Sequence, residues 1–280
     1  MSRYPLTGIR AATTERQLAL LEHATAVLER DGRIIAAWLA GSFATGEADP
    51  WSDLDIHCCV ADDDADDALW REVLAEITPT VLATTLQPPT IGGYALTPEW
   101  IHIDIVVRRR SEFDAAVHAA GARPLVDRDG LLVALPPAPP VQVEPWFPRP
   151  AVDWFFYMLG NIVTVIGRDD AALGMLGVLT VRDTCLVPLF LAERGIQRRG
   201  GVKRLNHWLS DEQRRALESL PPLVATVDSV VDAQLHLARI FITRGRALAE
   251  QLGEQWPTDL ERATVQHVEQ GLGIASLWSD

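Results

Sequence analysis

From Thr14 to Asp31 apolar residues recur at helical spacing, at Leu18, Leu21, Ala24 and Leu28, which predicts an amphipathic helix. Thr14 with Gln17 three residues on reads as a capping box at its start, and Gly32 as its stop. Ile34 to Ala40 is a continuous apolar run bounded by Gly41, short enough for a buried strand. From Asp53 to Val60 the chain alternates. Leu54, Ile56, Cys58 and Val60 fall on one face of a predicted strand, with Asp53, Asp55 and His57 on the other. The acid-rich turn at Asp62, Asp63, Asp64, Asp66 and Asp67 suits the positive end of a helix running to about Ile77. Further strands are expected at Thr80 to Leu86 and Trp100 to Val107, with Gly92-Gly93 as a turn between them. Leu125 to Val133 carries the turn signal Asp127-Arg128-Asp129-Gly130.

The pattern changes at Leu135. Pro136, Pro137, Pro139, Pro140, Pro145, Pro148 and Pro150 predict a semi-rigid extended linker over 136–150. Beyond it nearly everything has helical period: roughly 151–166, 169–194, 202–209, 211–219 opened by a Ser210…Gln213 capping box, 223–252 and 257–270. The expected architecture is therefore an α+β domain over 1–135, with a mixed sheet and helices, followed by an all-α helical bundle over 151–280.

Composition changes this picture little. A chain of 280 residues, 48% hydrophobic and 22% charged, has the make-up of an ordinary globular protein. Three cysteines, two adjacent at Cys58 and Cys59, make no disulfide framework, and a cytoplasmic setting is the expectation. No apolar run of bilayer length is expected, because Arg182, Asp183, Arg239 and Arg244 interrupt the most apolar stretches. The net charge of −13 argues against nucleic acid and anionic membranes as partners. It is unevenly spread: residues 1–140 hold 21 acids and 11 bases, residues 141–280 hold 17 and 14.

The candidate chemistry lies between the first two strands, in Gly41-Ser42-Phe43-Ala44-Thr45-Gly46 and then Ser52-Asp53-Leu54-Asp55-Ile56. Gly41 lets the backbone approach a ligand with no Cβ in the way. Ser42 is placed to cap the following helical turn and to offer a hydroxyl beside free N–H groups, an arrangement that receives phosphate. Asp53 and Asp55, two apart on a strand, project to the same side, and two such anions imply a divalent cation with oxygen ligands. In Ile101-His102-Ile103-Asp104-Ile105-Val106-Val107 an Asp interrupts a β-branched run. If that strand lies beside Asp53 and Asp55, three carboxylates meet in a two-metal arrangement for phosphoryl or nucleotidyl transfer. The alternatives are surface acids at Asp53 and Asp55, and a salt-bridge partner for Arg108, Arg109 or Arg110 at Asp104.

Gly41-Ser42, a ten-residue spacer, Asp53-x-Asp55 and the distant apolar strand around Asp104 resemble the nucleotidyltransferases of the DNA polymerase β superfamily. The resemblance is strongest over 34–107. It implies metal-binding and catalytic roles for Asp53, Asp55 and Asp104, a phosphate loop at Gly41 and Ser42, two Mg²⁺ ions, and ATP as nucleotide donor. Leu125 to Gly130, Arg182-Asp183, and Gly200-Gly201-Val202-Lys203-Arg204-Leu205 before Trp208-Leu209 resemble aminoglycoside nucleotidyltransferases, particularly the 6-adenylyltransferase type. Those join a nucleotidyltransferase domain to a helical domain and bind substrate between the two. The implied activity is transfer of AMP to a hydroxyl of a small polar, cationic acceptor, with release of pyrophosphate.

Other residues admit two readings. His57 and His102 fall on the carboxylate faces but are more commonly supporting or partly buried groups. The basic cluster Arg198, Arg199, Lys203 and Arg204 is either solvated surface or, with Lys203 as a compact point charge, a partner for a triphosphate. A protein-directed AMP transferase of the toxin–antitoxin kind and a catalytically silent nucleotide-binding regulator are the rival functions.

Overall fold

The computed structural model describes residues 7–133, 144–197 and 205–277. The chain divides into two compact units, Met1–Pro140 and Val141–Asp280.

In the first unit α1 (Thr7–Arg30) leads into β1 (Ile34–Leu39), a short α2 (Gly41–Thr45) and β2 (Leu54–Val60). A 3-10 turn at Asp62–Asp64 precedes α3 (Asp67–Ile77), followed by β3 (Leu82–Thr85), β4 (Ile91–Leu96) and β5 (His102–Arg109). The short α4 (Ala115–His118) and β6 (Arg123–Asp127) complete it. The six strands form one sheet in the order β3-β4-β5-β2-β1-β6, in which β2 and β5 are parallel and every other neighbouring pair is antiparallel. The parallel pairing brings distant segments side by side, with Asp55 directly opposite Asp104.

Alternation along β2 and β5 sorts the sheet into two faces. Leu54, Ile56, Cys58, Val60, Ile103, Ile105 and Val107 are buried in one core with Leu21, Ala24 and Leu28 of α1 and Leu69, Trp70, Val73, Leu74 and Ile77 of α3. Ala36, Trp38, Cys59, Ala119 and Leu132 form a smaller core. Cys58 and Cys59 thus pack on alternate faces. Burial pushes their thiols up, to about 12 and about 11, which leaves both protonated and unreactive near neutrality.

Several local expectations are corrected. Thr14 lies within α1, which begins about two turns earlier at Thr7, so it is not at the N-terminal boundary of this helix. The buried stripe of α1 runs through Gln17, Leu21, Ala24 and Leu28, whereas Leu18 is 51% exposed. Gly92 and Gly93 are not a turn but the middle of β4, between β3 and β5. Their glycine identity answers to close approach. A Cβ on Gly93 would stand 2.6 Å from Trp70 Cζ2, and one on Gly92 would stand 3.0 Å from the Cα of Val106 on the neighbouring strand. Trp100 has a φ of 64° and lies in a turn, so β5 starts two residues later than expected.

Asp31, just past α1, accepts from Arg33 Nε at 3.0 Å and from Arg33 Nη2 at 2.8 Å. These bonds hold its carboxyl below the usual value of 3.8. A carboxyl depressed by folding stabilises above its unfolded pKa, and that contribution disappears as pH falls through the folded value. Asp31→Asn is accordingly expected to cost about 1 kcal/mol at neutral pH, since the pair is partly exposed, and less at about pH 2. Urea unfolding of wild type and variant at the two pH values measures the difference.

In the second unit α5 (Arg149–Gly160), α6 (Ile162–Gly167), α7 (Ala171–Val181), a π-helical turn at Arg182–Leu186 and α8 (Val187–Glu193) are followed by α9 (Leu205–Trp208) and α10 (Asp211–Glu218). The long α11 (Val227–Leu252) and α12 (Thr258–Leu272) end the described chain. The Ser210 cap is present, its Oγ accepting from the Gln213 N–H at 3.1 Å while Gln213 Oε1 accepts from the Ser210 N–H at 3.0 Å. Pro150 sits in the first turn of α5, where a missing N–H costs nothing, so helix begins inside the stretch expected to be extended. Residues 134–143 of that stretch lie outside the described residues.

Two stretches, Arg149–Gly167 with mean hydropathy 1.2 and Ala171–Glu193 with 1.6, are long and apolar enough to cross a membrane by length and composition alone. This departs from the expectation, because Arg182 and Asp183 are too few to offset so apolar a window. Both stretches supply core here: Val152, Phe155, Phe156, Val181, Leu186 and Phe190 are buried together with Leu237 and Phe241 of α11.

Candidate active site

The parallel alignment of β2 and β5 assembles the site. Asp55 and Asp104 are register partners on adjacent strands, and Asp53 stands just before β2, on the same side as Asp55. One carboxylate oxygen from each of the three lies within 4.8 Å of the others, and all three residues are half-buried. An all-oxygen donor set of this charge and spacing fits a hard divalent cation. The remainder of β2 and β5 is apolar on the opposite face, so the strands that bury the main core also aim the acids away from it.

Gly41 completes this arrangement. It has a φ of 59°, in the left-handed region that glycine adopts without strain. A Cβ there would overlap Asp55 Oδ2 and lie 3.1 Å from its Cγ. The backbone at the end of β1 is held by the Ala40 N–H, which donates to the Asp55 carbonyl at 2.9 Å. Ser42 lies inside α2 rather than capping it: the capping position is Ala40, which has no side-chain bond to offer. The left-handed Gly46 closes α2, its N–H and that of Glu47 both reaching the Ser42 carbonyl.

The approach to Asp53 is fixed from α1. The side chain of Gln17, 2% exposed, donates from Nε2 to the Ser52 carbonyl at 2.7 Å. Ser52 in turn donates its N–H to the Asp49 carbonyl at 3.0 Å and accepts from the Asp49 N–H at its Oγ at 2.9 Å. A polar residue in an otherwise apolar helical stripe was the available signal for Gln17, but its partner lies 35 residues away. Gln17→Leu is expected to leave the Ser52 carbonyl unpaired, cost about 1–3 kcal/mol in urea unfolding and lower turnover by loosening Asp53.

Tyr94 also emerges at the site. It is the register partner of Asp104 on β4 and is 43% exposed, so an aromatic ring borders the third carboxylate. Reading Gly92-Gly93 as a turn concealed the strand that carries it.

The two histidines separate. His102 is exposed at the start of β5. His57 is enclosed, its ring 5.6 Å from that of Trp38, and its Nδ1 has no hydrogen-bond partner among the described residues. Burial, and secondarily Arg108, pushes its pKa down to about 4, so it is neutral near physiological pH and belongs to the packing behind the carboxylates. Asp183 is exposed in the π-helical turn of the second unit. Lys203, with Arg198, Arg199 and Arg204, lies outside the described residues.

A mixed sheet that sets a tight glycine loop against three converging carboxylates on parallel neighbouring strands is an arrangement suited to metal-assisted phosphoryl or nucleotidyl transfer. Comparison with known proteins agrees: residues 20–82, from the second half of α1 to the start of β3, match the family model of the nucleotidyltransferase domain. Residues 20–82 thus have the sequence of a nucleotidyltransferase domain, and the resemblance drawn from Gly41-Ser42 and Asp53-x-Asp55 agrees with that match, with Asp104 brought beside them by the fold. Among solved structures it is similar to an aminoglycoside 6-adenyltransferase from Bacillus subtilis, at 13% identity and a TM-score of 0.39, over 91% of this chain and 97% of that one. That likeness is too distant to carry over a residue or a substrate. No curated protein matches this chain.

Proposed function

We propose that the protein transfers AMP from ATP to a hydroxyl of a small polar acceptor, an aminoglycoside-type antibiotic, and releases pyrophosphate. The observation that carries this reading is the convergence of Asp53, Asp55 and Asp104 beside the Gly41 loop. These three carboxylates would hold Mg²⁺, as one or two ions. When bound, magnesium neutralises charge on the phosphate oxygens and favours ionisation of the attacking hydroxyl.

The acceptor oxygen forms a bond to the α-phosphorus as the bond from that phosphorus to the bridging oxygen of the β-phosphate breaks, and pyrophosphate leaves with the electron pair. Asp104 takes the hydroxyl proton, the role of a general base with its carboxylate at the reacting centre. Gly41 and Ser42 place backbone N–H groups beside the β- and γ-phosphates, and Lys203 neutralises the triphosphate. Tyr94 offers a flat face to a base or sugar ring beside Asp104. The acidity of residues 1–140, 21 acids against 11 bases, favours approach of a polycation over a neutral or anionic acceptor. The motifs at Arg182-Asp183 and around Lys203 favour the aminoglycoside reading over a protein acceptor.

A pyrophosphate-release screen with ATP and GTP against aminoglycosides, lincosamides and nucleosides, streptomycin first, tests the proposal. Release with ATP and an aminoglycoside, and a mass gain of one AMP on the antibiotic, is expected. Silence across aminoglycosides, with labelling of protein from α-labelled ATP in a cell lysate, would transfer the reading to a protein-directed AMP transferase.

A further inference from the structure

Between α5, α6, α7 and α11 of the helical unit lies a cavity of about 360 Å³. Ile162, Val165, Val178 and Val230 give its wall apolar surface, and Thr164 and Thr180 add polar groups. Among the described residues that line it, Arg168, just past α6, is the one that carries a charge. No salt bridge or side-chain hydrogen bond to another described residue occupies its guanidinium. The nearby acid Asp170 is already engaged, its Oδ1 accepting from the Leu173 N–H at 3.0 Å to cap α7. The cavity opens to water past apolar side chains: Leu173 and Leu176, both in its wall, are 45% and 63% exposed. Trp154 and Tyr157, one helical turn before the lining residues Met158 and Asn161 and so on the same helix face, are exposed as well, with ring centroids stacked at 5.1 Å.

Large apolar side chains left in water around one concavity mark a binding surface. The volume falls in the range of small-molecule sites, which pair apolar walls with a few polar groups that fix orientation. The lone guanidinium sets the charge of the ligand. It can hold a carboxylate through two parallel N–H···O bonds and neutralises a singly charged anion in full. A dianion would instead add uncompensated charge to a chain already at −13. We infer that this cavity binds a small amphiphilic carboxylate, with its head group at Arg168 and its apolar body against Val165, Val178 and Val230, where it covers Leu173 and Leu176. All the lining residues belong to the second unit, so the site is independent of the reaction proposed at the carboxylates of the first.

Octanoate and octan-1-ol, equal in chain length and used below the concentrations at which they aggregate, test it on the full chain. Ligand-observed NMR titration reads both affinities without any need for activity. Saturable binding of octanoate is expected, about three- to five-fold tighter than octan-1-ol, the worth of an exposed ion pair. Long-range attraction cannot create that preference, because the chain as a whole repels anions. Arg168→Gln, at an exposed position, should keep the fold and bring the two affinities together. A Cβ at Gly177 of the wall would meet nothing nearer than Met158 Cε at 3.9 Å. Gly177→Leu therefore fills open space from a helical position where leucine is the better helix former, and should abolish binding of both probes in a protein at least as stable as wild type. Absence of saturable binding to wild type, equal affinity for the two probes, a preference for octanoate that survives Arg168→Gln, or undiminished binding to a folded Gly177→Leu would each overturn the assignment. So would sedimentation of the wild type as a dimer that Leu176→Glu dissociates, which would give this face to a second copy of the chain.

Discussion

Asp53→Asn should reduce nucleotidyl transfer by about a thousand-fold, because losing one carboxylate from the converging set removes several kcal/mol of transition-state stabilisation and each ~1.4 kcal/mol is a factor of ten. Asparagine keeps the shape of the side chain and loses its charge. Asp53 lies outside the apolar core, so the unfolding free energy should move by no more than about 1 kcal/mol. Measured together, kcat/KM and urea unfolding separate the two effects. Asp104→Asn should fall in the same range for a second reason, loss of the group that accepts the proton, and its residual rate should rise with pH as hydroxide substitutes for the missing base. An Asp53→Asn enzyme that retains a tenth or more of wild-type turnover would remove that residue from the site.

Gly41→Ala should be almost as damaging although it touches no charge. The left-handed φ of 59° strains any residue with a Cβ, and that Cβ would overlap Asp55 Oδ2. Asp55 would have to swing aside, and displacing a catalytic group by roughly 1 Å can cost about a hundred-fold in rate. The backbone strain adds about 1–2 kcal/mol of destabilisation. Gly46→Ala supplies the control. Gly46 also has a positive φ, 76°, but a Cβ there meets nothing within 4 Å. It should lose similar stability and keep its activity, so that comparing the two variants isolates the contact with Asp55 from the strain they share.

What could be read from sequence followed from locality and period. The Asp-x-Asp pair shares a strand face because side chains alternate every residue, and Gly41-Ser42 precedes it at a spacing that a tight turn can span. That Asp104 joins them needed one further assumption, that its strand lies next to β2, and the parallel β2–β5 register supplies it. The features that escaped depend on contacts between distant segments. Gln17 finds Ser52 across 35 residues. Gly92 and Gly93 look like a turn until Trp70 and β5 are packed against them, and Tyr94 stayed hidden with the strand they belong to. Ser42 has the residue type of a helix cap, yet the left-handed Gly41 starts α2 one residue before it. In the helical unit the capping box at Ser210 was legible because it is local, whereas the π-helical turn at Arg182–Leu186 has no signature in apolar spacing.

The central claim is that the carboxylates at the ends of β2 and β5 direct transfer of a nucleotidyl group. Position-labelled ATP tests it most directly: the protein is incubated with magnesium and the acceptor panel, with the label in the α-phosphate or, in parallel, in the γ-phosphate. The account predicts that α-label alone appears on the acceptor, γ-label leaves in pyrophosphate, and both signals vanish in Asp53→Asn. Appearance of γ-label on the acceptor, or α-label transfer undiminished in Asp53→Asn, would contradict it.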